Sequence, residues 1–154
     1  MEQKFENIFD THSHYDDDKF DSDRFSLLKS LKGKGVCNVV SCGCDINSTK
    51  FNQLLAQNFD FVYFAAGLHP ENLEGCTESD IDEIAKIAAD EKCVAIGEIG
   101  LDYYWDKEPT VQQAQREMFC RQLALAKEMS LPVIIHSRDA AEDTMNIMQQ
   151  AHKD

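Results

Sequence analysis

An α/β fold, a partial TIM (β/α)8 barrel with about five βα units present, is predicted by three observations on this sequence. Short apolar runs alternate with longer stretches of helical period, the pattern of strands joined by crossover helices. The polar residues that stand out all follow apolar runs: His12 and His14 the first, His69 the third, Glu98 the fourth and His136 the fifth. In a barrel of parallel strands that end gathers residues distant in sequence around one cavity, whereas an open doubly wound sheet collects ligands only at its switch point. Length is the third observation. The 154 residues fall short of the roughly 250 that eight units typically need, so five units cannot close a barrel and two strand edges stay unpaired.

The first strand lies around Ile8-Phe9, and the acidic stretch Asp16-Asp17-Asp18 leads to a helix expected to bury Phe25, Leu28 and Leu31, ended by Gly33 and Gly35. A second strand, Val36 to Cys42, precedes a helix through Phe51, Leu54 and Leu55. A third, Phe61 to Ala66, precedes one through Ile81, Ile84 and Ile87, with Thr77 as its N-cap. Val94 to Ile96 forms the fourth, followed by a loop rich in Gly, Asp and Tyr and a long helix carrying Met118, Leu123, Leu125 and Met129. Pro132 to Ile135 forms the fifth, and a last helix runs through Thr144, Ile147 and Met148. Strands this apolar, each followed by a helix, are expected to be parallel and covered on both faces. A single domain, 1–154, is the natural division.

The composition is that of an ordinary globular protein, 43% hydrophobic and 28% charged. A formal net charge of -13 argues against holding nucleic acid on a broad basic surface, which relies on many Lys and Arg contacts to phosphate, yet leaves room for a phosphodiester held through metals. No run approaches the roughly 18 apolar residues of a membrane span, and Met1-Glu2-Gln3-Lys4 lacks the apolar core of a signal peptide, so no membrane partner and a cytoplasmic location are expected. The six cysteines form no Cys-x-x-Cys pairs of structural-zinc spacing. Free thiols fit better, with Cys37, Cys42 and Cys93 acting as small buried hydrophobes.

Chemistry concentrates in Asp10-Thr11-His12-Ser13-His14. Two imidazoles two residues apart on extended backbone point the same way, and neutral imidazole is the commonest metal ligand. Glu98 and His136 then offer the carboxylate and the third imidazole of a hydrolytic metal centre, and Asp10 is expected to orient an imidazole. Asp102 either does similar work or holds its loop. The acidic run through Asp23 lacks the Gly and terminal Glu of a calcium-binding EF-hand loop and reads as a solvated loop. Tyr103, Tyr104 and Trp105 either pack beneath the site or offer faces on which a nucleobase can stack.

Four blocks resemble the TatD family of metal-dependent hydrolases, which belongs to the amidohydrolase-like TIM barrels and includes deoxyribonucleases. They are Phe9-Asp10-Thr11-His12-Ser13-His14, Gly67-Leu68-His69-Pro70, the stretch from Gly97-Glu98-Ile99-Gly100 to Leu101-Asp102-Tyr103-Tyr104, and the stretch from Pro132-Val133-Ile134-Ile135 to His136-Ser137-Arg138, and together they span the chain in the family's order. The resemblance implies that His12, His14, Glu98 and His136 are ligands of two divalent ions, Mg, Mn or Zn, with Glu98 bridging them. His69 and Arg138 are then the candidates to contact a substrate phosphate, as imidazolium and guanidinium.

The resemblance also implies a further His after a sixth strand and an Asp after an eighth, so the chain is expected to be the N-terminal portion of such a barrel or to complete itself by association of its exposed edges. His152 lacks the surrounding motif and is not assigned as a ligand. Three functions follow. The first is a deoxyribonuclease acting on DNA, single-stranded by expectation, in which the ions polarise a phosphate oxygen and activate a water. The second is a metal-dependent amide or ester hydrolase, since the same chemistry polarises a carbonyl. The third is an inactive partial barrel.

Overall fold

The computed structural model describes residues 6–153. Five strands, β1 (Ile8–Ser13), β2 (Val36–Cys42), β3 (Val62–Ala66), β4 (Cys93–Asp102) and β5 (Val133–Arg138), form one sheet in the order β1-β2-β3-β4-β5, every neighbouring pair parallel. Helices α1 (Arg24–Leu31), α2 (Ile46–Asn58), α3 (Glu78–Ala88), α4 (Pro109–Met129) and α5 (Ala141–Lys153) follow the strands in turn. This sequential order of parallel strands is that of a barrel wall. It has no strand-order reversal of the kind that creates a switch point.

Local chemistry accounts for the element ends. Asp45 caps α2 by accepting from the Ser48 N–H at 2.7 Å, while the Ser48 hydroxyl lies 2.9 Å from the Asp45 N–H. At Thr77, the N-cap of α3, the Asp80 carboxylate accepts from the backbone N–H at 2.7 Å. A 3-10 turn over Lys32–Lys34 extends α1 before Gly35, at φ 92°, turns the chain into β2.

The larger core lies between the sheet and its helices, where Leu28, Leu55, Phe64, Ile84, Ile99 and Phe119 are fully buried. A smaller cluster of Val40, Cys42, Ala65 and Ala95 covers the opposite face of the central strands. Coverage of both faces holds for β2 to β4 but not at the margins. Ile8 and Phe9 on β1 are 38% and 53% exposed, and no residue of β5 is fully buried. Each of these strands has a neighbour on one side only among the described residues. Phe25 departs from expectation too: it is exposed and tilts against the ring of Phe59 at 6.0 Å, while Leu28 and Leu31 carry the packing of α1.

β4 is the main departure in the strands. It runs on through Glu98 to Asp102 rather than stopping at Ile96, so Glu98 sits inside a strand, and β5 likewise continues through His136 to Arg138. The glycines that suggested a loop serve close approach instead. A Cβ on Gly67 would come within 2.7 Å of the Gly97 carbonyl carbon, and one on Gly100, at φ 144°, within 2.0 Å of the His136 carbonyl oxygen. The pairing of β4 with β5 shifts register between Ile96 and Ile99, an irregularity that re-aims side chains around Glu98.

All six cysteines are free thiols. Burial pushes the Cys42 thiol up to about 12, which suits a small apolar side chain better than a reactive one. No helix among the described residues is long and apolar enough to cross a membrane.

Candidate metal centre

His12, His14, His69, Glu98, His136 and Arg138 all line one cavity of about 340 Å³ at the carboxyl ends of the strands. The alternation of β1 places His12 and His14 on the cavity side, while Ser13 between them turns away and donates to the Val40 carbonyl at 2.8 Å. The two Nε2 atoms lie 3.3 Å apart. Asp10, expected to orient an imidazole ring, instead accepts from the His12 backbone N–H at 3.3 Å.

Glu98, buried at mid-strand, divides its carboxylate between two sides of the cavity. Oε2 lies 3.0 Å from His12 Nε2 and 3.2 Å from His14 Nε2, whereas Oε1 lies 3.1 Å from His136 Nδ1 and 3.9 Å from His69 Nε2. Burial raises the Glu98 pKa, but hydrogen bonds from His136 and His14 and the charge of His12 outweigh it and hold the carboxyl well below its ordinary range. Glu98 is therefore an anion.

The tautomers follow from the outer partners. His14 Nδ1 faces the Cys42 carbonyl at 3.1 Å and donates to it, so a neutral His14 ring turns its Nε2 lone pair toward His12 Nε2 and Glu98 Oε2. Acceptor atoms converge there and repel unless a proton or a cation sits among them. A proton on the ring meets this need, and the Cys44 side chain beside Nδ1 and the Glu98 carboxylate raise His14 to about 10. Two imidazole nitrogens and a carboxylate oxygen within 4.8 Å of one another, with one ring fixed by a backbone carbonyl, are also the donor set and outer support of a divalent-metal site. The residues fit a metal.

His136 stands between two carboxylates, with Nε2 2.9 Å from Asp102 Oδ2 and Nδ1 against Glu98, and those contacts, Glu98 first, raise its pKa. Asp102 is fully buried, and its Oδ1 accepts from the N–H groups of Tyr104 and Trp105 at 2.9 and 3.1 Å. It thus both holds its loop and orients an imidazole. His69 differs from its neighbours. Its Nδ1 accepts from the Glu71 N–H at 3.2 Å, leaving Nε2 to carry the hydrogen, and burial together with the charge of His136 lowers it to about 4. A neutral N–H donor is therefore what His69 offers, in place of the imidazolium expected from the sequence. Arg138 is half-exposed, with NH1 3.6 Å from Asp102 Oδ2 and 3.8 Å from Glu71 Oε1.

Sequence reasoning missed several supporting residues. Arg24 is buried on α1 and donates to the carbonyls of Tyr15, Asp16 and Asp17, pinning the acidic loop after His14, with its guanidinium 4.8 Å from the centroid of the Phe51 ring. That loop is consequently not merely solvated, since Asp16 and Asp17 line the cavity and Asn52 donates to Asp16 at 3.1 Å. Two glutamines two helical turns apart on α4 read the neighbouring loops. Gln115 accepts from the Asp102 N–H at 2.9 Å, and Gln122 accepts from the Leu68 N–H at 2.8 Å and donates to the Leu68 carbonyl at 3.0 Å. A polar residue on the buried face of an otherwise apolar helix was the available signal.

The family model described as TatD related DNase matches residues 9–154. A Bacillus subtilis protein described as uncharacterized metal-dependent hydrolase YabD is 41% identical over 93% of this chain and 55% of its own length. The 3'-5' ssDNA/RNA exonuclease TatD of Dickeya dadantii is 32% identical over 86% of this chain and 50% of its own. The crystal structure of YJJV, a TatD homologue from Escherichia coli K12, superposes with a TM-score of 0.85 at 31% identity, covering 94% of this chain and 56% of that one. The chain therefore spans about half the length of the relatives it matches, and its five-stranded sheet corresponds to part of their barrel.

Proposed function

Because the chain belongs to the TatD related DNase family, we propose that it carries the metal-binding wall of a hydrolase that cleaves phosphodiester bonds in single-stranded DNA. The observation that carries this reading is Glu98, whose two oxygens face different imidazole clusters. Such a carboxylate suits a bridge between two ions, with His12 and His14 serving one and His136 the other. The mixed nitrogen and oxygen donors suit Zn through imidazole and Mg or Mn through carboxylate. When bound, the ions would supply Lewis-acid polarisation of a phosphate oxygen and activation of a water.

The chain's own residues supply orientation and charge. Asp102 fixes the His136 ring, the Cys42 carbonyl fixes that of His14, and His69 Nε2–H offers a neutral hydrogen bond to a phosphate oxygen. Arg138, half-exposed at the rim, offers a guanidinium to the same group. The nucleic-acid substrate is supported by the Dickeya relative's name as an ssDNA/RNA exonuclease. A cytoplasmic setting, supported by the free thiols, belongs to the same proposal, as does the assignment of residues 1–154 as the N-terminal units of a larger barrel whose further strands, or a second copy, pair with β1 and β5.

The test compares this chain with a version extended by further βα units, using end-labelled single-stranded DNA with Mg²⁺ or Mn²⁺. The extended version is expected to degrade the DNA far faster and to bind more metal, and Glu98→Ala is expected to abolish both. Full activity in Glu98→Ala overturns the bridging assignment. Hydrolysis of a carboxylic ester with no cleavage of DNA transfers the reading to carbonyl chemistry.

A further inference from the structure

The loop between β4 and α4 carries three aromatic residues in a row, and the structure separates their roles. Tyr103 is committed internally: its hydroxyl donates to Asp143 at 2.7 Å and accepts from Arg116 at 2.8 Å. Tyr104 and Trp105 are 50% and 61% exposed, with ring centroids 4.6 Å apart and planes at 87°. Their backbone N–H groups donate to Asp102 Oδ1, while Oδ2 of the same carboxylate lies 2.9 Å from His136 Nε2. One buried group therefore ties the aromatic pair to the metal-binding imidazole.

The loop is built rather than loose. Lys107 Nζ donates to the Tyr103 carbonyl and lies 5.6 Å from the Tyr104 ring centroid, Gln112 donates to the Asp106 carbonyl at 2.8 Å, and Gln115 donates to the Asp106 carboxylate at 2.7 Å. Two large rings are thus held in water on a loop whose backbone is anchored to the carboxylate that meets His136, forgoing the stabilisation that burial would give. Charge makes the placement informative. A net charge of -13, with Asp16, Asp17 and Glu71 on the cavity wall, argues against holding a polyanion through many phosphate contacts of this chain. Beyond cations at the centre and the Arg138 guanidinium, affinity of this chain for a nucleic acid would draw on neutral contacts, of which base stacking on an aromatic face is a strong one.

We propose that Tyr104 and Trp105 form a stacking site for an unpaired nucleobase, seating the nucleotide next to the phosphate held at the metal centre. The site is tolerant of base identity, since every base has a π-face, and it excludes paired bases, whose faces are covered by their neighbours. It rests on the phosphodiesterase reading and adds to it the two side chains that would hold an unpaired base.

Trp105 is the sole tryptophan, so its fluorescence reports the site directly. The probes are a phosphorothioate-protected oligothymidine, an abasic oligonucleotide of equal length and charge, and a duplex, each titrated with Mn²⁺ present. Oligothymidine is expected to quench the emission and to bind on the order of tenfold more tightly than the abasic chain, with the duplex weakest. In hydrolysis of unprotected DNA, Trp105→Ala is expected to raise KM on the order of tenfold with little change in kcat, and Trp105→Phe to retain most of the affinity. Equal binding of the abasic chain, or an unchanged KM in Trp105→Ala, overturns the stacking site while leaving the phosphodiesterase reading intact. Base-dependent quenching with no hydrolysis of DNA by this chain or by the version extended by further βα units overturns that reading and leaves the stacking site. A protein-concentration-dependent shift of the emission without nucleic acid shows a second copy covering the rings and also overturns the proposal.

Discussion

Asp102 holds His136 through its ring, Oδ2 lying 2.9 Å from Nε2. The carboxylate is fully buried, and burial alone would raise its pKa, but the hydrogen bond from His136 and those from the Trp105 and Tyr104 N–H groups keep it low. It is a fixed anion that sets the direction in which Nδ1 faces Glu98. Losing such an outer partner typically costs a metal site 10- to 100-fold in affinity. Asp102→Asn is therefore expected to weaken Mn²⁺ binding by about that factor, read by calorimetric titration, while His12 and His14 keep their geometry.

Removal of Glu98 has a larger expected effect, because it takes an oxygen from both imidazole clusters at once. Glu98→Gln keeps the volume but removes the charge that neutralises two sets of imidazoles. Bound metal measured by atomic emission after gel filtration is expected to fall to background in this variant, whereas His136→Ala is expected to retain a fraction through His12, His14 and Glu98.

Metal binding should release protons. His14 is raised to about 10 in the metal-free chain, so it is protonated at pH 7, and ligation requires its lone pair. The sign follows directly: affinity is expected to rise with pH, by about tenfold per unit for one displaced proton, between pH 6.5 and 8. Calorimetry in buffers of differing ionisation enthalpy measures the proton count, and a count of zero would show that His14 is not a ligand.

Gly100 is expected to tolerate no side chain. Its φ of 144° and the 2.0 Å that would separate an added Cβ from the His136 carbonyl oxygen combine backbone strain with a collision against the strand that carries His136. Gly100→Ala is expected to cost about 3 kcal/mol or more of stability, lowering the midpoint of a urea transition, and to disturb metal binding in parallel.

Arg24→Ala is expected to destabilise by roughly 3 kcal/mol, because carbonyls of the Tyr15 to Asp17 loop lose their donor and a cavity opens beside Phe51. The test is again a urea titration. Arg24→Lys should recover little, since an ammonium cannot reproduce the fork that meets several carbonyls together.

Much of the fold was legible because its signals are local. The sequence predicts β2 over Val36 to Cys42, the range it has in the structure, and Thr77 as the N-cap of α3, since an apolar run after glycine and a hydroxyl residue before a helical run carry their own geometry. The strand ends bearing Glu98 and His136 were not legible, because Gly97 and Gly100 look like turn residues when viewed alone. Only the pairing of β4 with β5 and the closeness of β3 shows that these glycines make room for a neighbouring backbone. The roles of Arg24, Gln115 and Gln122 are not legible for a related reason: a long polar side chain does not reveal in sequence which distant peptide group it will satisfy.

The sequence by itself determined the strand-helix alternation and the placement of His12, His14, His69, Glu98 and His136 after apolar runs, because periodicity and the position of polar residues after such runs are properties of the chain taken in order. The tertiary structure decided how those residues relate: that Glu98 splits its oxygens between two imidazole clusters, that Asp102 ties His136 to Tyr104 and Trp105, and that His69 is neutral. Those outcomes depend on distances between strands and on burial, which arise only when segments far apart in sequence meet, so no local pattern could have carried them.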